Sequence, residues 1–264
     1  MTRKQSLTFL LVLYAVLSAY MLIRAGLGLP FRMWSGFVHP MLALSCVLIH
    51  SSGREGGRRT LVFAVLVIVV TLAAESLGVA TGLIFGSYHY TDRFGPLFLG
   101  LVPFVIPLVW LNMMYPSYVI AGWIVPRTSD GRQRILGVAA LGGLVLTSWD
   151  LAVDPGMVYK GHWIWDTPGG YFGIPWSNFL GWWLTAFVTL ALYLWISQWI
   201  SPARPAATET ADDRPMLILY ALTGLNSIIG DFLIGLGGPA LAGLGAMGVW
   251  TIWGWVRLSR HSTE

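Results

Sequence analysis

The stretch Ser148–Trp183, SWDLAVDPGMVYKGHWIWDTPGGYFGIPWSNFLGWW, joins the end of one apolar run to the start of the next. It gathers three aspartates and six tryptophans in a chain of which only 11% of residues are charged. The chain as a whole is 56% hydrophobic, with a mean hydropathy of +0.68. Soluble domains carry about 25% charged residues. Long apolar runs recur on both sides of the stretch, so the expected fold is an all-α polytopic membrane protein, a single helical domain over residues 1–264. The lone cysteine, Cys46, excludes an internal disulfide and argues against a thiolate metal cluster.

Eight spans are expected, at about Leu7–Ile23, Trp34–Ile49, Leu61–Val79, Leu97–Val125, Ile135–Val153, Trp176–Ile200, Met216–Ile234 and Pro239–Val256. The first is long enough to cross and lacks a small-x-small cleavage site, so it is expected as a retained helix. Glycines crowd the last two, which could instead form a re-entrant hairpin. One side of this topology holds Arg3, Lys4, Arg54, Arg58, Arg59, Arg127, Arg132, Arg134, Arg204, Arg214, Arg257 and Arg260, and the other only Arg24, Arg32, Arg93 and Lys160. The positive-inside rule then puts both termini in the cytoplasm of a multi-pass protein of the cell membrane. The net charge of +4 follows from this asymmetry; membrane lipid, not nucleic acid, is the expected partner. Residues 201–214, SPARPAATETADDR, read as a flexible cytoplasmic loop.

Acidic residues recur late in three spans. Glu75 lies fourteen residues after Leu61, Asp150 fifteen after Ile135, and Asp231 fifteen after Met216. At the helical rise these side chains reach roughly 21–23 Å from the inner end of an apolar core about 30 Å thick. Asp154 follows Asp150 by one turn on the same face. Four carboxyl groups are thus expected at one depth, facing a cavity rather than lipid. Clustered buried carboxyls without cation partners repel one another when ionised, an arrangement suited to a proton donor. The Asp154-Pro155-Gly156 sequence is expected to end its helix there.

Beyond that helix end, Val158–Asp166 alternates, with Tyr159, Gly161, Trp163 and Trp165 on one face. Pro168-Gly169-Gly170 supplies a turn, and Tyr171–Ile174 could return as a second strand. The result is an aromatic, partly β-hairpin-like lid at the outer mouth, faced by the similar loop Gly82–Gly95 with Tyr88, His89 and Tyr90. An interfacial aromatic belt would explain the same residues without a site.

Only Lys4 and Lys160 are lysines, neither within a span, so a retinal Schiff base is excluded. The five histidines form no HxxxH or HxxHH pattern, and no GxGxxG or phosphate-binding loop occurs. No metal and no cofactor are expected.

The series AESLGVATGLIFGSYHY, VPFVIPLVWLNMMY, WDLAVDPGMVYKGHWIW and GGYFGIPWSNFLGWW resembles the integral-membrane carotenoid hydratases, which include carotenoid 1,2-hydratases and haloarchaeal bisanhydrobacterioruberin hydratases. The resemblance covers Glu75 to Trp183 and, more weakly, the flanking spans with NSIIGDF. It implies cofactor-independent addition of water across the terminal double bond of a long acyclic carotenoid such as lycopene, γ-carotene or bisanhydrobacterioruberin, and association with other enzymes of carotenoid synthesis. Such a hydration begins by protonating the less substituted alkene carbon, leaving a tertiary cation. It needs a carboxylic acid, an aromatic wall and a positioned water. Asp154 or Asp150 is the candidate acid, with Glu75 or Asp231 orienting water. Trp149, Trp163, Trp165, Tyr88 and Tyr171 are candidates to face the cation, and Asn112 and Asn178 to hold water or acid. Another isoprenoid- or lipid-modifying enzyme, or a proton-coupled transporter or lipid-binding scaffold, would also use clustered intramembrane acids.

Overall fold

The computed structural model describes residues 1–30, 32–126, 130–200 and 212–261. Residues 201–211, most of the expected cytoplasmic loop, lie outside the described residues. Among the described residues there are eight α-helices: α1 Arg3–Gly26, α2 Met33–Arg54, α3 Gly57–Thr81, α4 Ile106–Ile124, α5 Gly131–Tyr159, α6 Trp176–Ser197, α7 Arg214–Leu233 and α8 Gly237–His261. Six of them, α1, α2, α3, α5, α6 and α7, are long and apolar enough to cross a membrane. The fold is therefore an all-α polytopic bundle. Helix α4 is shorter and carries Asn112 and Pro116, yet 14 of its 19 residues are buried, so it runs through the centre of the bundle.

Helix starts follow local capping. Thr2 and Gln5 close a capping box on α1, and the Asp130 side chain accepts the Gln133 N–H at 2.8 Å to start α5. In α3 the buried residues Thr60, Phe63, Val67, Thr71, Glu75 and Gly78 recur every three or four positions, while Leu61, Val69 and Leu77 face outward and are more than half exposed. This stripe turns Glu75 inward. Helix α3 ends at Gly82, whose φ of 71° suits a residue without Cβ.

The structure corrects three expectations. The fourth span does not start at Leu97: Leu97–Phe98 (β1) and Val102–Pro103 (β2) form a tight hairpin, and the helix begins only at Ile106. Gly100 turns the chain there at φ 70°, and Pro103 and Pro107 have no N–H to give a helix. Second, α5 does not stop at Asp154 but runs through Pro155 to Tyr159. Proline deprives the carbonyl four residues earlier of its usual donor, and the Tyr171 hydroxyl donates to that carbonyl, Leu151 O, at 2.9 Å.

Third, the aromatic strand Trp163–Trp165 (β3) does not pair with Tyr171–Ile174. It pairs antiparallel with Tyr88–Tyr90 (β4) from the Gly82–Gly95 loop, with Tyr88 opposite Trp165, His89 opposite Ile164 and Tyr90 opposite Trp163. Backbone bonds Asp166 N–H to Ser87 O and Thr91 N–H to His162 O extend the ladder at 3.0 Å each. Residues Tyr171–Ile174 instead close on themselves in a tight turn. The last two expected spans are helices of 20 and 25 residues, and of these α7 is among the six long and apolar enough to cross a membrane. They pack closely where Gly224 admits Met247.

At the opposite end of the bundle a polar clasp ties α2 to α4 and α7. The His50 ring lies 3.0 Å from the Tyr115 hydroxyl and 3.3 Å from Asp213, whose second oxygen accepts the Trp123 N–H at 2.6 Å. Arg54 approaches Asp213 at 3.4 Å. Burial alone would raise the Asp213 carboxyl, but the bond to His50 and the Arg54 charge hold it below the usual carboxylate range.

Candidate active site

Three of the four expected carboxyl groups meet under the aromatic lid. Glu75, Asp150 and Asp154 are 3%, 0% and 1% exposed. One side chain, Asn178 in the first turn of α6, joins two of them: its amide NH2 donates to Asp150 Oδ2 at 2.9 Å and to Asp154 Oδ2 at 2.6 Å. The two aspartates can share this donor because positions four apart lie on one helix face. That face of α5 packs on α6, with Gly143 two turns below against Trp183.

Donors converge unequally on the three acids. Glu75 accepts three: the hydroxyls of Tyr88 and Tyr90 on Oε2, the latter at 2.9 Å, and the Trp110 indole N–H on Oε1 at 2.9 Å. Asp154 accepts the Trp163 indole N–H at 2.5 Å besides Asn178. The Trp165 indole N–H is directed toward the same carboxyl without closing a hydrogen bond. Asp150 accepts only Asn178, and its Oδ1 is buried with no partner among the described residues. Such an orphaned oxygen in a dry site is costly and marks a place where a proton or ligand belongs.

Aromatic layers bound the cluster. Tyr88 packs on Trp165 with ring centroids 5.0 Å apart, and Tyr90 on Trp163 at 5.8 Å, so the β3–β4 pair forms the roof. Strand alternation puts Tyr88 and Tyr90 on one side and leaves His89 outside, where it meets Asp166 at 2.9 Å. The exposed Asp166 carboxyl, bonded by Ser87 and His89, is held below the usual range. Trp182, one turn deeper than Asn178, stacks on Trp110 at 4.2 Å and meets the edge of Trp149 at 6.1 Å. This indole layer is the floor.

The remaining expected residues lie elsewhere. Asp231 is buried on α7, but its Oδ1 sits over Gly156, where a Cβ would stand only 2.4 Å away. Gly156 and Ala152 occupy the side of α5 opposite Asp150 and Asp154, so Asp231 meets the back of that helix, in the electrostatic reach of Lys160. Asn112 turns toward α2 and donates to Pro40 O at 2.9 Å. Trp149 donates to Ser227 at 3.0 Å. Tyr171 holds the Leu151 carbonyl and packs on Phe179 at 5.0 Å. Sequence reasoning missed Tyr90, Trp110 and Trp182. The Tyr-x-Tyr alternation was a legible signal for Tyr90. A tryptophan within an apolar span gives no sign of which way it faces.

A family model described as carotenoid biosynthesis protein matches residues 35–250, from α2 to α8. The chain belongs to the carotenoid biosynthesis protein family. Glu75, Asp150, Asp154 and Asn178 all fall within the matched region. Over 137 residues, 52% of the chain, it is 32% identical to the bisanhydrobacterioruberin hydratase of Haloarcula japonica. That alignment takes in 45% of the relative, so the match spans about half of its length. No solved structure matches. In this carotenoid biosynthesis protein, then, the family region and the buried acid cluster coincide.

Proposed function

We propose that the protein adds water across the terminal 1,2 double bond of an acyclic carotenoid end group. The observation that carries this reading is the joined pair Asp150–Asn178–Asp154, closed between aromatic layers, with one carboxyl oxygen left without a donor. Because Glu75 and Asp154 have donors on both oxygens, Asp150 Oδ1 is the oxygen suited to carry the transferable proton. Asp150 gives that proton to C2 of the alkene, and the π pair forms the new C–H bond. The tertiary cation at C1 faces two carboxyls held by fixed donors and the surrounding indoles, which stabilise positive charge in a dry site. Water adds to C1 and its proton passes to Asp150, which restores the acid. The balance needs no redox partner and no cofactor. The name of the Haloarcula relative, a carotenoid hydratase, supports the substrate class.

The polyene itself would lie in the apolar bundle or the adjoining bilayer. A cell-membrane location with cytoplasmic termini, and association with enzymes that make or consume the carotenoid, belong to the same proposal.

Expression in a lycopene-producing bacterium, followed by pigment mass analysis, tests it. The expected result is a pigment heavier by one water. Asp150→Asn keeps the shape and the bond to Asn178 but lacks the proton, and should lower product about 10²–10⁴-fold with protein still in the membrane. Unchanged pigment with well-expressed wild-type protein overturns the hydratase reading, and favours another isoprenoid enzyme or transport.

A further inference from the structure

Thr147 lies one turn below Asp150, on the same α5 face that packs against α6. Hydroxyl side chains within these helices generally bond the carbonyl four residues back: Thr71 to Val67 O at 2.7 Å, Thr189 to Thr185 O at 2.7 Å, Thr223 to Leu219 O at 2.8 Å, and the adjacent Ser148 to Leu144 O at 2.8 Å. That bond is the default for a helical hydroxyl in an apolar setting. Thr147 does not make it. Its Oγ1 is buried without a partner among the described residues, and so is Asp150 Oδ1.

Two orphaned buried oxygens three residues apart on one helix face are neighbours. Their Cβ atoms are about 5–6 Å apart, a separation that one water spans with hydrogen bonds of about 2.8 Å to each oxygen. Buried polar groups are satisfied in native proteins, and water is the usual partner where the protein supplies none. The site also lies at the level where α6 presents Trp182, one turn below Asn178, beside the stacked indole floor.

We propose that Thr147 Oγ1 and Asp150 Oδ1 hold the water that adds to the polyene, with Thr147 its positioning residue. This rests on the hydratase reading and deepens it. Once Asp150 has protonated C2, the water donates one hydrogen to the new carboxylate and the other to Thr147 Oγ1. A lone pair is left to form the C1–O bond. The proton shed by the resulting oxonium goes to Asp150, so atoms and charge balance. Without Thr147 the water loses one of its two anchors. The cation then has time to return a proton from C2 to Asp150 and re-form the alkene.

That competition gives a readout that packing alone would not move. Wild-type protein, Thr147→Val and Thr147→Ser are purified in detergent and incubated with lycopene in D2O. Hydrated product and deuterium in recovered lycopene are then measured. Valine keeps the branched shape and removes the hydroxyl; serine keeps the hydroxyl. The expected result for Thr147→Val is hydration lowered on the order of tenfold to a hundredfold, with deuterium at C2 of recovered lycopene raised relative to hydration. Thr147→Ser should restore most of the hydration. Two results would overturn the water site while leaving the hydratase reading intact. One is Thr147→Val hydrating at the wild-type rate; the other is hydration and exchange falling together with no rescue by serine. Folded wild-type protein that neither hydrates nor exchanges lycopene removes the hydratase reading, and the water site with it.

Discussion

At Trp163 the edge and the face of one indole are used differently. The N–H donates to Asp154 at 2.5 Å, so the ring meets the acids edge-on, while the ring also meets Tyr90 in a T-shaped contact and stacks against Phe94. Replacement by Phe keeps most of the packing and deletes the donor; Ala deletes both. A hydrogen bond to a charged group contributes about 1.5–3 kcal/mol, so Trp163→Phe should already slow turnover about tenfold or more, and Trp163→Ala further. Turnover measured together with polyene retention separates the two losses. Full activity in the Phe variant would show that the N–H bond is a spectator and that the indole serves only as a wall. The same distinction explains what sequence could and could not show at single positions. That Trp163 and Trp165 share a face was legible from their alternation. That three N–H and O–H donors aim at Glu75 was not, because a tryptophan in an apolar run has the same composition whether it faces lipid or an acid.

Among the elements, the β3–β4 pair decides how the site is closed. Its strands come from loops more than seventy residues apart and are three residues each. Short ladders of this kind are marginal alone. They persist here because their inner side chains bond buried carboxyls and their outer side carries the Ser87–Asp166 and His89–Asp166 contacts. His89 and Ile164 stand directly opposite each other on the outer side. Cross-strand partners have Cβ atoms about 4.5–5.5 Å apart, close to disulfide reach. His89→Cys with Ile164→Cys should therefore oxidise to an intramolecular cross-link in membranes, seen as a reducible shift in peptide mapping. Failure to cross-link, while a pair placed within residues 163–174 does so, would restore the hairpin read from the sequence. That hairpin was a reasonable expectation: Pro168-Gly169-Gly170 is good turn chemistry. Turn residues show where a chain reverses, not which strand it meets. Likewise Pro155 reads as a helix end until Tyr171 supplies the donor that the proline removed from Leu151 O.

For the whole molecule, Arg3, Arg54, Arg59 and Arg214 lie at the end of the bundle that holds the His50–Asp213 clasp, while Glu75, Asp150 and Asp154 lie toward the other end. If that basic end is cytoplasmic, a cysteine placed at Lys160 should react with an impermeant maleimide added to intact cells. Labelling only after permeabilisation would invert the topology. The sequence by itself determined that the chain is a bundle of membrane helices, and that Glu75, Asp150, Asp154 and Asp231 lie near one level. Both follow from quantities that add along the chain: apolar length and a fixed rise per residue. Tertiary structure alone decided the azimuth. It placed Asp150 and Asp154 on the α6 side of α5 and Asp231 on the other, set Asn178 between the first two, and brought Tyr88–Tyr90 across to Trp163–Trp165. In a soluble helix the polar face betrays its orientation. Here both lipid and protein interior are apolar, so a helix can be hydrophobic all round, and only packing against its neighbours fixes which face turns inward.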